Sequence, residues 1–312
     1  MRYYLAPMEG ITDSIYRRVH HKFFSGVDAY YMPFISPTIH RCLTNREARE
    51  VPFADTVDFY AVPQLMTKVP EDFLWAAQEC KDRGYDEVNL NVGCPSGTVV
   101  AKKKGSGMLE DPENLDRFLG EIFEKSPLPV SVKTRLGLNE PTEFPRILEI
   151  YNQYPIKELS IHPRVRKQFY KGDVDMEMFR YALENSKNPV CFNGNVRTLS
   201  EAEVFEKEFP QVQSMMIGRG LIGNPAMLEP GGEGKLEAFH DALLEQYIAE
   251  FGGPRNAMFR MKENWRHMIW MFDDNEKLWK KLRKCTDVNE YRSIVREIFA
   301  TLPMHAELQP DW

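Results

Sequence analysis

The chain repeats one pattern eight times: a short apolar run bounded by Gly or Pro, followed in most cases by a stretch of helical periodicity. The predicted strands are residues 3–7, 28–33, 59–66, 86–92, 129–135, 157–162, 189–193 and 213–218. The predicted helices are 12–22, 70–83, 112–125, 142–153, 175–185 and 199–208, and 34–58 has no assignable pattern. Because strand and helix alternate, the pattern predicts a parallel sheet closed into a (β/α)₈ barrel.

An open doubly wound sheet is the alternative arrangement for alternating strands and helices. It needs fewer strands and a first turn of the form G-x-G-x-x-G, whereas this chain has "PMEGITD" at that place. After the linker "EPGGEG" at 229–234, four helical stretches follow with no strand between them. We therefore predict an α/β fold, with a TIM barrel over residues 1–230 and a small all-helical domain over 235–312.

Composition and charge limit the possible functions. The net charge of −6 means that binding to nucleic acid would have to rest on local basic patches. Five widely separated cysteines without a Cys-x-x-Cys pair argue against a disulfide framework and against a zinc or iron–sulfur site, and predict a reducing cytoplasm. The start "MRYYLAPMEG" does not resemble a signal peptide, no apolar run is long enough to span a membrane, and we expect a monomer.

Polar side chains alternate with apolar ones along the predicted strands. On the fourth strand, Asn89 and Asn91 share one face while the valines and Leu90 share the other. The polar residues concentrate near the carboxyl ends of five strands: Gln64, Asn91, Cys94, Lys133, Arg135, His162 and Asn193. Active sites of barrel enzymes are built at that rim, so these residues predict a catalytic mouth.

Two glycine-containing turns follow the last two strands, "NGNV" at 193–196 and "GRGLIGNP" at 218–225. In barrels these loops commonly bind phosphate, because glycine lets backbone N–H groups approach an anion. The predicted phosphate ligands are Asn193, Gly194, Asn195, Gly218 and Arg219. They imply a phosphorylated cofactor or substrate.

With these motifs assembled, the chain resembles the FMN-dependent tRNA-dihydrouridine synthases. The matching segments, in the family's order, are "APMEGITD" (6–13), Gln64, "LNVGCP" (90–95), "GSGML" (105–109), "SVKTRLG" (131–137), "IHPRVRKQFYKG" (161–172), "NGNV" and "IGRGLIGNP" (217–225). They span most of the predicted barrel, and Asn-x-Gly-Cys-Pro is more specific than the phosphate loops. One departure is "HPR", where many relatives have His-Gly-Arg.

The resemblance implies bound FMN, NADPH as the reductant, and reduction of the C5–C6 double bond of uridines in tRNA. It implies that Pro7, Met8 and Glu9 line the flavin ring. It places Gln64, Lys133 and His162 at the polar edge of the flavin, and the two glycine turns at its phosphate. A fixed ammonium there would stabilise a reduced, anionic flavin.

The resemblance also gives roles on the substrate side. Cys94 would be the general acid that protonates the uracil from the face opposite the flavin. Asn91 would contact the edge of the uracil, and Arg135 the target nucleotide. In the C-terminal region, 12 Lys and Arg stand against 13 Asp and Glu. The family nevertheless places the helix that carries Arg260 and Lys262 against the tRNA, and Lys277–Lys284 form a second basic group.

Two other functions stay open from the sequence. One is an FMN-dependent TIM-barrel oxidoreductase acting on a small molecule, of the ene-reductase or dihydroorotate-dehydrogenase type, which leaves the helical tail without a role. The other is a non-catalytic RNA-binding protein, which Cys94, Lys133 and His162 argue against. The uridine that is reduced, ribosomal RNA as a substrate, and NADPH against NADH are left open.

Overall fold

The structure is a computed structural model that describes residues 1–310. Nine short strands form one parallel sheet with the order β3-β2-β1-β9-β8-β7-β6-β5-β4. The strands are β1 (Arg2–Leu5), β2 (Ala29–Tyr31), β3 (Ala61–Val62), β4 (Gln64–Leu65), β5 (Val88–Val92), β6 (Val130–Gly137), β7 (Leu159–Val165), β8 (Val190–Phe192) and β9 (Ser214–Ile217). All eight predicted strands are present, the third in two pieces.

Pro63 explains the ninth strand and the closure of the sheet. It separates β3 from β4, because proline has no N–H to continue a strand ladder. On one side of this stretch, Tyr30 N donates to Tyr60 O at 2.9 Å, and on the other Asn89 N donates to Pro63 O at 2.8 Å. The first and last strands of the sheet order are thus one interrupted strand, and the sheet closes into the predicted barrel.

Helices follow the strands as the periodicity predicts. They are α1 (Ser14–Phe23), α2 (Asn45–Glu50), α3 (Pro70–Asp82), α4 (Gly97–Val100), α5 (Pro112–Lys125), α6 (Phe144–Tyr151), α7 (Met176–Asn185), α8 (Leu199–Glu208), α9 (Arg219–Gly223), α10 (Leu236–Phe251), α11 (Pro254–Met268), α12 (Glu276–Lys284) and α13 (Val288–Thr301). Short 3₁₀ turns lie at Ala54–Thr56, Gly105–Glu110, Pro141–Glu143, Arg166–Gln168, Gly232–Lys235 and Ile269–Met271. The last four helices are those predicted after residue 235, so the barrel followed by helices is confirmed.

The chain divides into two compact units. The first contains residues 1–7, 28–195 and 210–216, and therefore nearly the whole sheet together with α2–α7. The second contains 8–27, 196–209 and 217–312, and in it α10 contacts α11 and α1, while α11 also contacts α9 and α13. The domain limits 1–230 and 235–312 stay a prediction. No helix within residues 1–310 is long and apolar enough to cross a membrane.

Candidate active site

Cys94 lies in a turn directly after β5, where the apolar strand ends. The side-chain oxygen of Asn91 accepts hydrogen bonds from Gly93 N at 3.1 Å and Cys94 N at 2.9 Å. The carbonyl of Cys94 accepts from Ser106 Oγ at 2.8 Å and from Ser106 N at 3.1 Å. Cys94 itself is half-buried. Hydrogen bonds with Asn91 on one side and Ser106 on the other hold the turn that carries it. The sequence therefore places a rigidly supported cysteine at the rim of the barrel.

Gly105 is required for this arrangement. Its φ of +55° is one that L side chains rarely adopt, and a Cβ there would lie 2.9 Å from the Cβ of Cys94. The "GSG" segment can approach the cysteine turn only because it has no side chain at this point. Ser106, which supports Cys94 from that segment, was not among the predicted site residues.

A series of hydrogen-bonded side chains leads from the Cys94 turn into the barrel. Asn91 Nδ2 donates to Gln64 Oε1 at 2.8 Å, and Gln64 Nε2 donates to Asn89 Oδ1 at 2.8 Å. Asn89 Nδ2 then donates to Ser131 Oγ at 3.0 Å, and Ser131 Oγ donates to Glu87 Oε1 at 2.9 Å. Gln64 and Asn91 are both buried, and both belong to this series. Their contacts with flavin and uracil stay predictions, and in the free protein the two amides orient the Cys94 turn.

Two cations from β6 stand beside the cysteine turn. Arg135 is buried, and its Nε donates to Gly93 O at 2.9 Å, while one terminal nitrogen donates to Val165 O at 3.3 Å. Within residues 1–310 the half-buried ammonium of Lys133 makes no hydrogen bond and no ion pair. Burial, with the neighbouring Arg135 guanidinium, lowers the pKa of Lys133 to about 8. Lys133 is thus a cation that has no compensating acid in the part of the chain that the structure describes.

His162 is held by two residues that the sequence prediction did not include. Arg164 donates a hydrogen bond to His162 Nε2 at 2.7 Å, and the Tyr170 ring stacks on the imidazole with centroids 6.0 Å apart. Because arginine can only donate, Nε2 must be an acceptor, so the imidazole is neutral with its proton on Nδ1. Arg164 is fixed in turn by the carbonyls of Lys171 and Gly172.

Asn193, Gly194 and Asn195 follow β8 as predicted. Asn193 is buried, and its side-chain nitrogen donates to Met216 O at 2.7 Å. A Cβ on Gly194 would lie 2.2 Å from the Phe192 ring, so only glycine fits there. Asn195 is half-buried. Their role at a phosphate stays a prediction.

The second unit contains the predicted residues Met8 and Glu9. Met8 O accepts from Ile11 N and Thr12 N, both at 3.0 Å, which forms a tight turn directly after Pro7. Arg260 donates to the carbonyl of Gly10 in this turn, and its Nε lies 3.8 Å from Asp13, the N-cap of α1. Arg260 therefore braces the Met8 turn, while its contact with tRNA stays a prediction.

The other predicted residues of the second unit lie at helix ends. Gly218 is the N-cap of α9, and Arg219 is its first residue. Lys262 is buried in α11, and its ammonium donates to the carbonyls of Arg283 and Cys285 at the end of α12. The contact of Lys262 with tRNA stays a prediction, and its observed partners give it a structural role.

The family model described as dihydrouridine synthase matches residues 4–302, nearly the whole chain. The chain belongs to the dihydrouridine synthase family. A probable tRNA-dihydrouridine synthase of Rhizobium leguminosarum bv. phaseoli is 28% identical over 281 residues, which cover 87% of this chain and 85% of that protein. A probable tRNA-dihydrouridine synthase of Rickettsia bellii is 30% identical over 257 residues, or 78% of each chain. The resemblance found in the sequence motifs is confirmed.

Solved structures similar to this dihydrouridine synthase support the barrel. Histamine dehydrogenase from Rhizobium sp. 4-9 superposes with a TM-score of 0.53 at 12% identity, covering 77% of this chain and 46% of that one. Morphinone reductase gives a TM-score of 0.51 at 12% identity, with coverage of 73% and 84%. At this identity the likeness concerns the fold alone.

A second polar cluster lies at the opposite, amino ends of the strands of this dihydrouridine synthase. Glu87 is buried and paired with Lys157, and it also accepts from Tyr60 Oη at 2.8 Å. Glu158 is buried and accepts from Ser214 Oγ at 2.7 Å, and Arg2 lies 3.3 Å away. The sequence analysis did not identify these carboxylates, although each comes directly before a predicted apolar strand core. Cys191 is buried, and burial together with Glu158 raises the pKa of its thiol to about 12.

Proposed function

We propose that this dihydrouridine synthase reduces the C5–C6 double bond of uridines in tRNA, with FMN as bound cofactor, NADPH as reductant and Cys94 as proton donor. One observation carries the proposal. A half-buried cysteine is held at the barrel rim by Asn91 and Ser106, next to Lys133 and Arg135, which have no acidic partner within residues 1–310. A redox reaction that adds a proton to a carbon atom needs such a positioned acid.

The residues at the rim fit FMN. The Lys133 ammonium has no hydrogen-bond acceptor within residues 1–310, and the electron-rich edge of a flavin would supply one. Pro7, Met8 and Glu9 would line the ring, with Gln64 and His162 at its polar edge. The His162 tautomer presents Nδ1–H, a donor of the kind that this edge requires. Asn193, Gly194, Asn195, Gly218 and Arg219 would hold the phosphate.

The proton step follows from the geometry of Cys94. When bound, FMN supplies the hydride that adds to C6 of the uracil. Cys94 Sγ gives its proton to C5, and the thiolate that remains is stabilised by the nearby Lys133 and Arg135 charges. Since Cys94 is partly exposed, the thiolate can regain a proton from water.

The tRNA would be held by cations of the helical region. On α12 five basic residues are exposed and form no ion pair within residues 1–310: Lys277, Lys280, Lys281, Arg283 and Lys284. The Arg283 guanidinium also lies 5.3 Å from the centre of the Trp279 ring. Arg260 and Lys262 have intramolecular partners, so α12 is the stronger candidate for phosphate contacts. The five cysteines form no disulfide within residues 1–310, which fits action in a reducing cytoplasm, where we expect a monomer.

The decisive experiment is a product assay. Purified protein is incubated with NADPH and unmodified tRNA, and dihydrouridine is measured by mass spectrometry of the digested RNA. We expect dihydrouridine to form and NADPH oxidation to be stimulated by tRNA, with NADH less effective. Ribosomal RNA and small enones serve as comparison substrates. Flavin-dependent reduction of enones without dihydrouridine in either RNA would favour the small-molecule oxidoreductase instead.

A further inference from the structure

The loop after β7, residues 166–172, carries two consecutive exposed aromatic rings. Phe169 is 41% exposed and Tyr170 is 53% exposed, although large apolar rings are normally buried. Phe169 has φ +52° and ψ −102°, a backbone conformation that costs energy for any residue with a Cβ. A strained backbone that turns an aromatic ring into solvent indicates a binding role.

Each ring has an arginine over one face. The Arg135 guanidinium lies 5.3 Å from the centre of the Tyr170 ring, which also stacks on His162, so Tyr170 belongs to the site described above. The Arg166 guanidinium lies 5.2 Å from the centre of the Phe169 ring. Within residues 1–310, Phe169 has no other aromatic or cationic neighbour of this kind, and Arg166 forms no ion pair. The pair of Phe169 and Arg166 is not used by the proposed reaction.

This pair is fixed to the cysteine turn. Arg166 Nε donates to the carbonyl of Pro95 at 3.3 Å, and Pro95 follows Cys94 directly. Phe169 N donates to Arg166 O at 3.0 Å, and Gln168 Oε1 accepts from Val165 N at 2.8 Å. The hydrogen bond to Pro95 therefore ties Arg166, and with it the Phe169 stack, to the residue that follows Cys94.

A flat ring backed by a guanidinium that forms no ion pair within residues 1–310 matches the chemistry of a nucleobase. Unpaired bases stack on aromatic rings and arginine planes, and the adjacent phosphates favour a cation. A uridine drawn out of a folded RNA leaves its neighbours unstacked, so they need a new surface. The exposed, cation-backed ring beside the cysteine turn offers that surface.

We propose that Phe169 and Arg166 form a stacking platform for an unpaired base that neighbours the target uridine. The platform makes Phe169 a positioning residue, and it rests on the proposed function in tRNA. Stacking of one base is commonly worth about tenfold or more in affinity.

The test uses Phe169→Ala, Phe169→Leu and Phe169→Trp, with Phe53→Ala as matched control. Phe53 is 54% exposed and has Arg83 at 5.2 Å over its ring, but it precedes the amino end of β3, and Arg83 is paired with Glu79. Affinity for an unmodified tRNA transcript, kcat and KM for dihydrouridine formation, and flavin content are measured. We expect about tenfold weaker binding and a raised KM for the Ala and Leu variants, with kcat and flavin content nearly unchanged. The Trp variant and Phe53→Ala should behave like the wild type.

Two results would overturn the platform. One is wild-type affinity for Phe169→Ala; the other is wild-type affinity and KM for Phe169→Leu, since leucine preserves apolar contact with a protein but cannot stack. Binding of a short single-stranded RNA to the same variants separates this proposal from the proposed function. If the wild type forms no dihydrouridine but the Phe169 variants still lose affinity for that RNA, only the proposed reaction fails.

Discussion

The two ends of the barrel both contain buried polar residues, but they differ in how the charges are compensated. At the amino ends of the strands, Glu87 is paired with Lys157 and Glu158 with Arg2. At the carboxyl ends, Lys133 has neither an acid nor a hydrogen-bond acceptor within residues 1–310. The same difference appears in the lysine pKa values. Burial lowers the pKa of Lys133 to about 8; it also acts to lower that of Lys157, but hydrogen bonds to Glu87 and Tyr60 raise it overall.

Whether a buried charge has a partner distinguishes structural residues from functional ones more clearly than the polarity of the side chain does. A closed network such as the one around Glu87 completes itself within the protein and stabilises the fold. An uncompensated cation costs free energy in the free protein, and the cost is offset when an electron-rich ligand arrives. Substitutions of the same chemical kind at the two ends should therefore have opposite consequences for activity and stability.

The two cysteines should differ most. We expect Cys94→Ala to lower dihydrouridine formation about a thousandfold while the protein keeps its flavin, since a positioned general acid contributes about 10²–10⁴-fold. Cys191→Ala should keep full activity, because Cys191 is buried in β8 among structural groups. Both are measured by product formation and flavin absorbance. Unchanged product formation by Cys94→Ala would disprove its role as acid.

The two lysines come next. Lys133→Met should lower turnover about a hundredfold by removing a charge that stabilises the reaction, with little loss of folding free energy. Lys157→Met should leave turnover unchanged and lower the free energy of unfolding by about 2 kcal/mol, because Glu87 stays buried without its cation. Urea unfolding and the product assay check both. Equal effects of the two substitutions on turnover would contradict the distinction between the two ends.

The amides of β5 should show a smaller contrast. Asn91→Ala removes the acceptor for Cys94 N, so we expect about tenfold lower kcat and normal flavin content. Asn89→Ala removes the acceptor for Gln64 Nε2 and the donor to Ser131 Oγ inside the barrel, so we expect a loss of about 2 kcal/mol in unfolding free energy. Steady-state kinetics and thermal unfolding measure the two. A larger loss of kcat in Asn89→Ala than in Asn91→Ala would show that Asn89, and not Asn91, is the positioning residue.

The smallest effect is on the pH dependence of stability. The pKa of Lys133 is about 8 in the folded protein, below the roughly 10.4 of an unfolded lysine. Between these values the unfolded chain binds more protons, so stability due to Lys133 rises with pH. For Lys157, whose folded pKa is raised, the stabilisation is present at lower pH and is lost as pH rises through that pKa. We expect flavin-free wild type to gain stability relative to Lys133→Met between pH 7 and 9.5, measured by urea unfolding. A constant difference would refute this assignment.

Periodicity was sufficient to predict the fold. Every strand and each assigned helix was found from apolar runs, because burial on the barrel dictates them. Helix α2 was missed since it has no buried residue, yet its capping box of Thr44 and Glu47 was readable as T-x-x-E. The break at Pro63 was also readable, as proline within a strand.

The site was predictable only in part. Alternation and end position are local signals, and they place Cys94, Lys133 and Arg135 at the strand ends where the structure has them, while the roles of these residues stay predictions. Arg164 and Tyr170 were missed, since their relation to His162 depends on how the loop after β7 folds back. Lys262 showed the reverse difficulty: its charge indicated an exposed contact, but tertiary packing buries it against the end of α12.

The hydrogen bonds in the series of side chains from the Cys94 turn to Glu87 all have the same direction. Each side chain donates a hydrogen bond toward the carboxylate and accepts one from the residue nearer the rim. Replacing one amide by an acid or a hydroxyl would therefore reverse or remove one of these hydrogen bonds. A substitution at a single position of this series would therefore leave a neighbouring side chain without its hydrogen bond. Among relatives, Gln64, Asn89, Asn91 and Ser131 should therefore be inherited as a set, and where one has changed in evolution its neighbours should have changed with it.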